Sequence, residues 1–468
     1  MNSDRQDELI GLSAVEAASA LAAGKVKPTE LVDAAARRIE QVDPALNALP
    51  TLCLDRARDH AKRIEADKGL TWLGGLPLAI KDLNEVAGVR TTFGSPIFAD
   101  HVPKQSQIEV ERLERHGGIV IAKSNTPEFG AGAQTFNEVF GRTHNPWNTT
   151  KTCGGSSGGA AVALATGMVW LAQGSDLGGS LRTPASFCSV VGLRPTPGLV
   201  PYGPSPLPFD TLGVEGPMAR SVADLALMLD AMVEDRNRGY LEAVNQTDPK
   251  TALPNGRVAY SDDLSIGPVD PAVASRTTES AGQVSDLGAE LSGAIPSFAE
   301  ARDSFQTLRA VRFATVLGET LNSHRERLKP DVVWNIEAGL KLSAQEIAEA
   351  DLARGRLHHR MVRFFQHHDF LLCPTAIVPP FDIEMQSVDR LGDHVFETYI
   401  DWIGITFAIT LTGCPALSLP CGFTGEGLPV GLQIVAPPFA EARLLAFAKL
   451  LEASLDVQPK TPIDPITP

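Results

Sequence analysis

The sequence predicts an α/β fold, one large domain built on a mostly parallel or mixed β-sheet. Three observations carry this. Short apolar runs alternate with helical patterns, most plainly where a helix over 105–116 passes through Gly117-Gly118 into Ile119-Val120-Ile121-Ala122-Lys123. That alternation is what α/β units leave in a sequence. The same apolar texture returns late in the chain, in Phe370-Leu371-Leu372-Cys373-Pro374 and Ala416-Leu417-Ser418-Leu419-Pro420. Finally, apolar residues make up 43% of the 468, enough for a substantial core, and no repeat, low-complexity tract or composition break marks a domain boundary.

The elements follow in order. Ser13-Ala14-Val15-Glu16 is a capping-box pattern that opens a first helix, with Gly24 as its stop. Helices over 29–41, after Pro28, and over 54–66 complete an N-terminal helical layer, 1–70. Gly74-Gly75 then turns into Leu78-Ala79-Ile80-Lys81-Asp82, a short strand whose alternation places Lys81 and Asp82 on opposite faces. After the strand at 119–123 the chain is loop-rich from 126 to 152, with Asn145-Pro146-Trp147-Asn148 a turn. Residues 160–172 form one continuous apolar, small-residue run. Val190–Pro195 leads into a Pro/Gly-rich loop that ends near Pro217, and Ser221 caps a helix through Met232. These elements make a core segment, 71–233. The next segment, 234–370, reads as a mostly helical insertion: loop-like at 234–256, a strand at Arg257-Val258-Ala259-Tyr260, a helix opened by Asp270-Pro271, and helix over 298–368. The last segment, 371–468, returns to the sheet through Gly431-Leu432-Gln433-Ile434-Val435 and closes with a helix over 441–454.

Charge and composition remove several function classes. A formal charge of −15 disfavours a nucleic-acid partner and docking on an anionic membrane. The first residues, Met1-Asn2-Ser3-Asp4-Arg5-Gln6-Asp7-Glu8, lack the basic and apolar regions of a secretory signal, and no run of 18 uncharged apolar residues occurs. The six cysteines form no C-x-x-C pair and read as reduced thiols. The expectation is a cytoplasmic protein acting on a small molecule.

Chemistry concentrates in two clusters, Gly154-Gly155-Ser156-Ser157-Gly158-Gly159 and Asp176-Leu177-Gly178-Gly179-Ser180-Leu181-Arg182. A phosphate loop fails because no Gly-Lys-Ser/Thr follows. Ser156 and Ser157 each satisfy the G-x-S-x-G spacing of a nucleophile elbow, but the preceding residues are turn-like rather than a strand, and no histidine lies between His144 and His324. A Ser–His–Asp arrangement using His324 or a later histidine stays open. A flexible linker would not run straight into an apolar helix-like segment. His358-His359 and His367-His368 carry no H-E-x-x-H pattern and, adjacent on a helix, chelate poorly, so no metal is expected. What remains is a serine nucleophile with a lysine base. Lysine normally titrates near about 10.4 and becomes a base only where burial disfavours its charge. Lys81, ending an apolar strand, is the candidate. Alone, a lysine after a strand reads as a surface charge.

The two clusters, continued by Thr183-Pro184-Ala185, closely resemble the signature of the amidase signature family. So do Leu78-Ala79-Ile80-Lys81-Asp82, Lys123-Ser124-Asn125-Thr126-Pro127-Glu128-Phe129, and the stretches 412–422 and 427–433. The likeness covers nearly the whole chain and is weakest over 234–370. It implies that family's fold, a central mixed sheet covered by helices on both sides. It also implies a catalytic triad of Ser180 as nucleophile, Ser156 as a bridging serine after a cis peptide bond from Gly155, and Lys81 as the base. The backbone of Leu177, Gly178, Gly179 and Ser180 would form the oxyanion hole, with Gly155, Ser157, Asp176 and Arg182 holding loop and triad in place. No cofactor is implied.

By the same resemblance the reaction is hydrolysis of a carboxylic amide through an acyl-enzyme on Ser180. The substrate would be a small aryl or alkyl amide; carbamates, anilides and cyclic amides are alternatives within the family. The A-type component of the tRNA-dependent amidotransferase is another, and usually carries Gln where this chain has Thr183. A non-catalytic binding module would lack a triad residue, and all three are present. The partners implied are the amide and water, with no nucleic acid and no membrane, and the protein a monomer or homodimer. Phe136, Phe140, Tyr399, Trp402 and Phe407 are expected to shape the substrate pocket, from their apolar character and position.

Overall fold

The computed structural model of the chain describes residues 8–67, 71–233 and 238–468. The acidic start (residues 1–7), whose composition bears on a signal sequence, and the first four residues of the 234–256 stretch lie outside the described residues.

One 11-stranded sheet organises the protein. Its strands are β1 (Thr51–Leu52), β2 (Pro77–Lys81), β3 (Ile119–Ser124), β4 (Leu171–Asp176), β5 (Val191–Arg194), β6 (Val214–Ala219), β7 (Arg257–Tyr260), β8 (Glu290–Ser292), β9 (Phe370–Pro374), β10 (Ala416–Phe423) and β11 (Pro429–Val435). The spatial order is β1-β3-β2-β4-β6-β5-β10-β11-β9-β7-β8. The sheet is mixed: β2 runs parallel to both β3 and β4, and β7 to both β8 and β9, while the central strands from β4 to β11 pair antiparallel. Every residue of β2, β3, β9 and β11 is buried. Unbroken burial along a strand means that both faces of the sheet are covered, and helices cover them.

The covering helices form where the sequence gives them start signals. Helix α1 (Ala14–Ala22) begins at the expected capping box: Glu16 N–H donates to Ser13 Oγ at 3.1 Å and Ser13 N–H to Glu16 Oε2 at 2.8 Å. Such a cap contributes about 1 kcal/mol. Helix α2 (Pro28–Val42) takes Pro28 at its first position, where the missing N–H costs nothing, and α3 (Leu54–Asp67) packs beside it on β3. After α4 (Ile108–Arg115) come α5 (Gly158–Ala165) and α6 (Arg182–Cys188), both wholly buried, then α7 (Val222–Met232) with Ser221 as its cap. Two short helices, Tyr240–Asn245 and Pro249–Ala252, break the stretch expected to be loop-like, and the longer later helices are α8 (Pro271–Gly282), α9 (Ala301–His324), α10 (Pro330–Lys341), α11 (Ala344–Phe364), α12 (Gly404–Thr412) and α13 (Glu441–Leu455).

The structure departs from the sequence expectation in two places that matter. The apolar run 160–172 is not one element. Helix α5 stops at Ala165, Gly167 turns the chain at φ +74°, and β4 begins at Leu171. Its uniform apolarity hid the change because both elements are buried on all sides. The Pro/Gly-rich stretch before Pro217 likewise contains a strand, β6, from Val214 onward. Glycine and proline suggested a loop, but six residues pair with β4. No helix among the described residues is long and apolar enough to cross a membrane.

Candidate active site

Parallel pairing puts the carboxyl ends of β2 and β4 at one edge of the sheet, and antiparallel pairing brings the start of β6 there too. Val214 lies opposite Asp176 and Glu215 opposite Ser175. Lys81, Asp176 and Glu215 therefore meet at the ends of three neighbouring strands, where ligands commonly bind in open α/β sheets.

Lys81 is completely buried. Its backbone N–H donates to Gln173 Oε1 at 3.1 Å, and Nζ donates to Ser156 Oγ at 2.7 Å and Ser175 Oγ at 3.0 Å. Burial in this site lowers the lysine to about 7, against the opposing pull of Glu215 and Asp176. Asp82 points the other way, as alternation requires, and accepts from Thr92 N–H and pairs with Lys123 at 3.4 Å.

The first glycine–serine cluster delivers Ser156. The Gly155–Ser156 peptide bond is cis. Gly155 and Gly159 sit where side chains cannot: a Cβ on Gly159 would lie 2.4 Å from Asn125 N and 2.5 Å from Ala48 O, and one on Gly155 2.9 Å from the Gln134 backbone. Ser157 ties the two clusters together, its N–H donating to Ser180 O at 3.1 Å and its hydroxyl to Ser175 O at 3.3 Å.

Asp176 organises the second cluster. It accepts from the N–H groups of Gly179 (3.0 Å) and Leu181 (3.1 Å), and from Arg182 Nε (3.0 Å) and Nη2 (2.8 Å). Arg194 donates to its carbonyl at 2.6 Å. Burial alone would raise this carboxyl, but the two guanidiniums and the backbone donors outweigh it and hold Asp176 well below the usual carboxylate range. Arg182 in turn reaches Gln433 Oε1 at 2.6 Å, Thr410 Oγ1 at 2.9 Å and Thr406 O at 3.0 Å, fastening the loop to α12 and β11. Gly179 adopts φ +131°, and a Cβ there would lie 2.4 Å from Thr406 Oγ1.

The oxyanion donors expected from the sequence are the N–H groups of Leu177, Gly178, Gly179 and Ser180. The Gly179 N–H is engaged by Asp176, because the carboxylate needs that donor to close the turn. Among the described residues, the N–H groups of Leu177, Gly178 and Ser180 meet no protein acceptor, which leaves those three able to donate to a bound group.

Ser156, Ser175, Leu177, Gly178 and Ser180 all border a cavity of about 310 Å³. Its polar end carries Asn84, Gln107 and Glu215; Phe93, Phe129, Phe305, Phe313 and Ile403 make up much of the rest. None of the five predicted pocket residues lines it. Trp402 and Phe407 are each 1% exposed, and border a separate hollow of about 230 Å³. Phe407 stacks at 4.4 Å on Phe305 and so backs the cavity wall from behind. The Tyr399 hydroxyl accepts from Asn335 at 2.7 Å, Phe136 lies beneath Lys329 at 4.4 Å, and Phe140 beneath Arg90 at 5.1 Å. Apolar character placed these rings inside the protein, but which side of a helix or loop they face is decided by tertiary packing.

Sequence reasoning also missed the acidic wall. Gln173 Nε2 donates to Glu215 Oε2 at 2.6 Å, so Gln173 bridges Glu215 to the Lys81 backbone. Asn84 Nδ2 donates to Glu109 Oε1 and Gln107 Oε1, each at 2.7 Å. Burial raises Glu109 and Glu215, Lys81 opposing it for Glu215. The available signal was a glutamate beside Gly216-Pro217 in a stretch otherwise poor in charge.

A solved bacterial aryl acylamidase of the amidase signature enzymes superposes with a TM-score of 0.87 at 25% identity, over 95% of this chain and 96% of that one. This is the fold of an enzyme that hydrolyses carbon–nitrogen bonds in amides. The family model described as Amidase matches residues 30–445, and the chain belongs to that family. Among curated relatives, an acylamidase of Rhodococcus erythropolis is 33% identical, with 98% of each chain covered. The A-type component of the glutamyl-tRNA(Gln) amidotransferase of Synechococcus sp. (strain CC9605) is also 33% identical, over 96% of this chain and 97% of its own.

Proposed function

We propose that this chain is an acylamidase that hydrolyses small aryl or alkyl amides through an acyl-enzyme on Ser180. The observation that carries the reading is the buried Lys81–Ser156 contact of 2.7 Å, opening onto a cavity that Ser180 shares and that is lined largely by apolar side chains. Neutral Lys81 accepts the proton of Ser156 Oγ, and Ser156 accepts that of Ser180. Ser180 Oγ attacks the amide carbonyl, and the oxyanion takes hydrogen bonds from the free N–H groups of Leu177, Gly178 and Ser180. Each such donor is worth about 10²–10³ in rate. The relayed proton passes back to the leaving nitrogen as the C–N bond breaks. Water then attacks the ester, Ser180 recovers its proton, and the acid departs. Ser157, Asp176, Arg182 and Gly155 hold these groups in place. The reaction uses no cofactor and no nucleic-acid or membrane partner, and the enzyme acts in the cytoplasm as a monomer or homodimer. A carbamate, anilide or cyclic amide would react by the same steps.

A fluorophosphonate probe followed by mass spectrometry tests this. The expected adduct is on Ser180, and Ser180→Ala abolishes hydrolysis of a chromogenic anilide. Retained activity in that variant, or an adduct on another serine, overturns the assignment. The amidotransferase reading is favoured by the similarity to the cyanobacterial protein. It would be supported by glutaminase activity exceeding anilide hydrolysis.

A further inference from the structure

Helix α9 lays one face along the cavity. Phe305, Arg309, Phe313 and Leu317 line it at four-residue spacing, the period that stacks side chains on a single helix face. Three of the four are apolar. Arg309 interrupts them, at 3% exposed. Its hydrogen-bond partners are neutral: one Nη donates to Asn335 Oδ1 and the other to the Tyr399 hydroxyl. Its guanidinium lies over the rings of Phe313 at 4.8 Å and Tyr399 at 5.4 Å. No carboxylate of the described residues pairs with it, whereas Arg312, almost one turn further on, pairs with Asp210. The acidic groups on the cavity wall are committed elsewhere, Asp176 to Arg182 and Arg194, and Glu215 to Gln173.

A buried guanidinium without a counter-charge is costly, and its fork has more donors than these two bonds use. Arginine is the side chain best matched to a carboxylate. We propose that Arg309 anchors a carboxylate carried by the substrate, so that the preferred amides are short and acidic rather than wholly apolar. This rests on the reading of the cavity as the amide site. The helix sets the reach. Phe305 packs against the nucleophile loop, its Cζ 3.0 Å from where a Cβ on Gly178 would stand. Arg309 follows one turn later, about 6 Å along the axis. That spacing suits a glutaryl-sized chain or one anilide ring between the scissile carbonyl and the carboxylate, about four to six bonds.

Two matched pairs test it, one for each side of the amide. Glutaryl 4-nitroanilide is compared with 5-methylhexanoyl 4-nitroanilide, and 4-butyramidobenzoate with N-(4-isopropylphenyl)butyramide. The carboxylate member of at least one pair is expected to win by about ten- to a hundredfold in kcat/KM, expressed in KM, the range of a hydrogen bond to a charged group. Arg309→Gln brings that ratio close to one, and Arg309→Lys retains part of it. Free glutarate competes with substrate in the unmodified enzyme. If Arg309→Gln fails to fold, the ratio and the glutarate competition in the unmodified enzyme decide alone. Equal or better turnover of both neutral members, without competition by glutarate, overturns the anchor and leaves amide hydrolysis standing. Failure of all four amides overturns the amide-site reading and the anchor with it.

Discussion

Replacing Glu215 by glutamine is expected to move the acid limb of the pH–kcat/KM profile to lower pH. With Lys81 as the proposed base, the lysine must be neutral to accept a proton, and activity is expected to appear as pH rises through its titration. Burial has already brought that titration down to about 7, and the carboxylate of Glu215 is the leading influence holding it up. Glu215 lies opposite Ser175, whose hydroxyl is 3.0 Å from Lys81 Nζ. At an effective dielectric of about 20, two unit charges beyond contact distance attract by roughly 2 kcal/mol. At about 1.4 kcal/mol per pKa unit, removing it lowers the limb by about one to two units. Asp176 also acts on Lys81 but is neutralised by Arg182 and Arg194, and Glu109 acts on Glu215 rather than on the lysine. Glu215 is thus the acid whose charge the lysine feels. The assay is kcat/KM for a neutral anilide across pH, which reports the free enzyme, with Glu215→Asp as the charge-retaining control. A limb that stays in place in Glu215→Gln, or rises, refutes the electrostatic role.

Asp176→Asn leaves two buried guanidiniums without their shared counter-charge, so urea unfolding should show a loss of about 3–5 kcal/mol. Because that carboxyl is depressed in the folded state, its contribution is present above the unfolded aspartate pKa and is lost only as pH falls through the far lower folded value; at pH 6–8 the deficit of the variant should not vary with pH from this group. Trp402→Ala should cost about 3–5 kcal/mol in the same assay, since the ring is buried against Phe381 at 5.4 Å. Its ratio of activities on matched acidic and neutral anilides should stay at the unsubstituted value; a changed ratio would mean that Trp402 touches substrate after all.

The parts of the site legible in the sequence are those whose chemistry demands a residue type at a fixed place along the chain. Lys81 ends a strand that had to be buried, and the glycines around Ser156 and Ser180 mark where backbone passes too close for a side chain, as the 2.4 Å clearance at Gly159 makes concrete. The core strands β2, β3, β9 and β11 were readable for the same reason, since continuous burial leaves an unbroken apolar run. What was not legible depends on how elements are rotated against one another. Phe305 and Phe407 stack at 4.4 Å, yet only Phe305 reaches the cavity. Nothing in either side chain distinguishes the ring that faces substrate from the ring behind it. Glu215 was hidden differently, inside a run whose glycine and proline suggested a loop where six residues form a strand.

The site therefore separates two kinds of buried charge. Asp176, Arg182 and Arg194 form a fixed ionic centre: each charge has partners at 2.6–3.1 Å, and together they fix the Leu177–Ser180 turn. Lys81 and Glu215 form a poised one, with burial driving both toward neutrality while each favours the other's charge. A fixed pair could not serve as a base, because a proton held that tightly does not move at neutral pH. A lone buried lysine would be neutral but unresponsive to its surroundings. On the proposed reading, an acid two strands away whose charge favours the lysine's would leave Lys81 neutral enough to accept a proton and basic enough to take it from a serine.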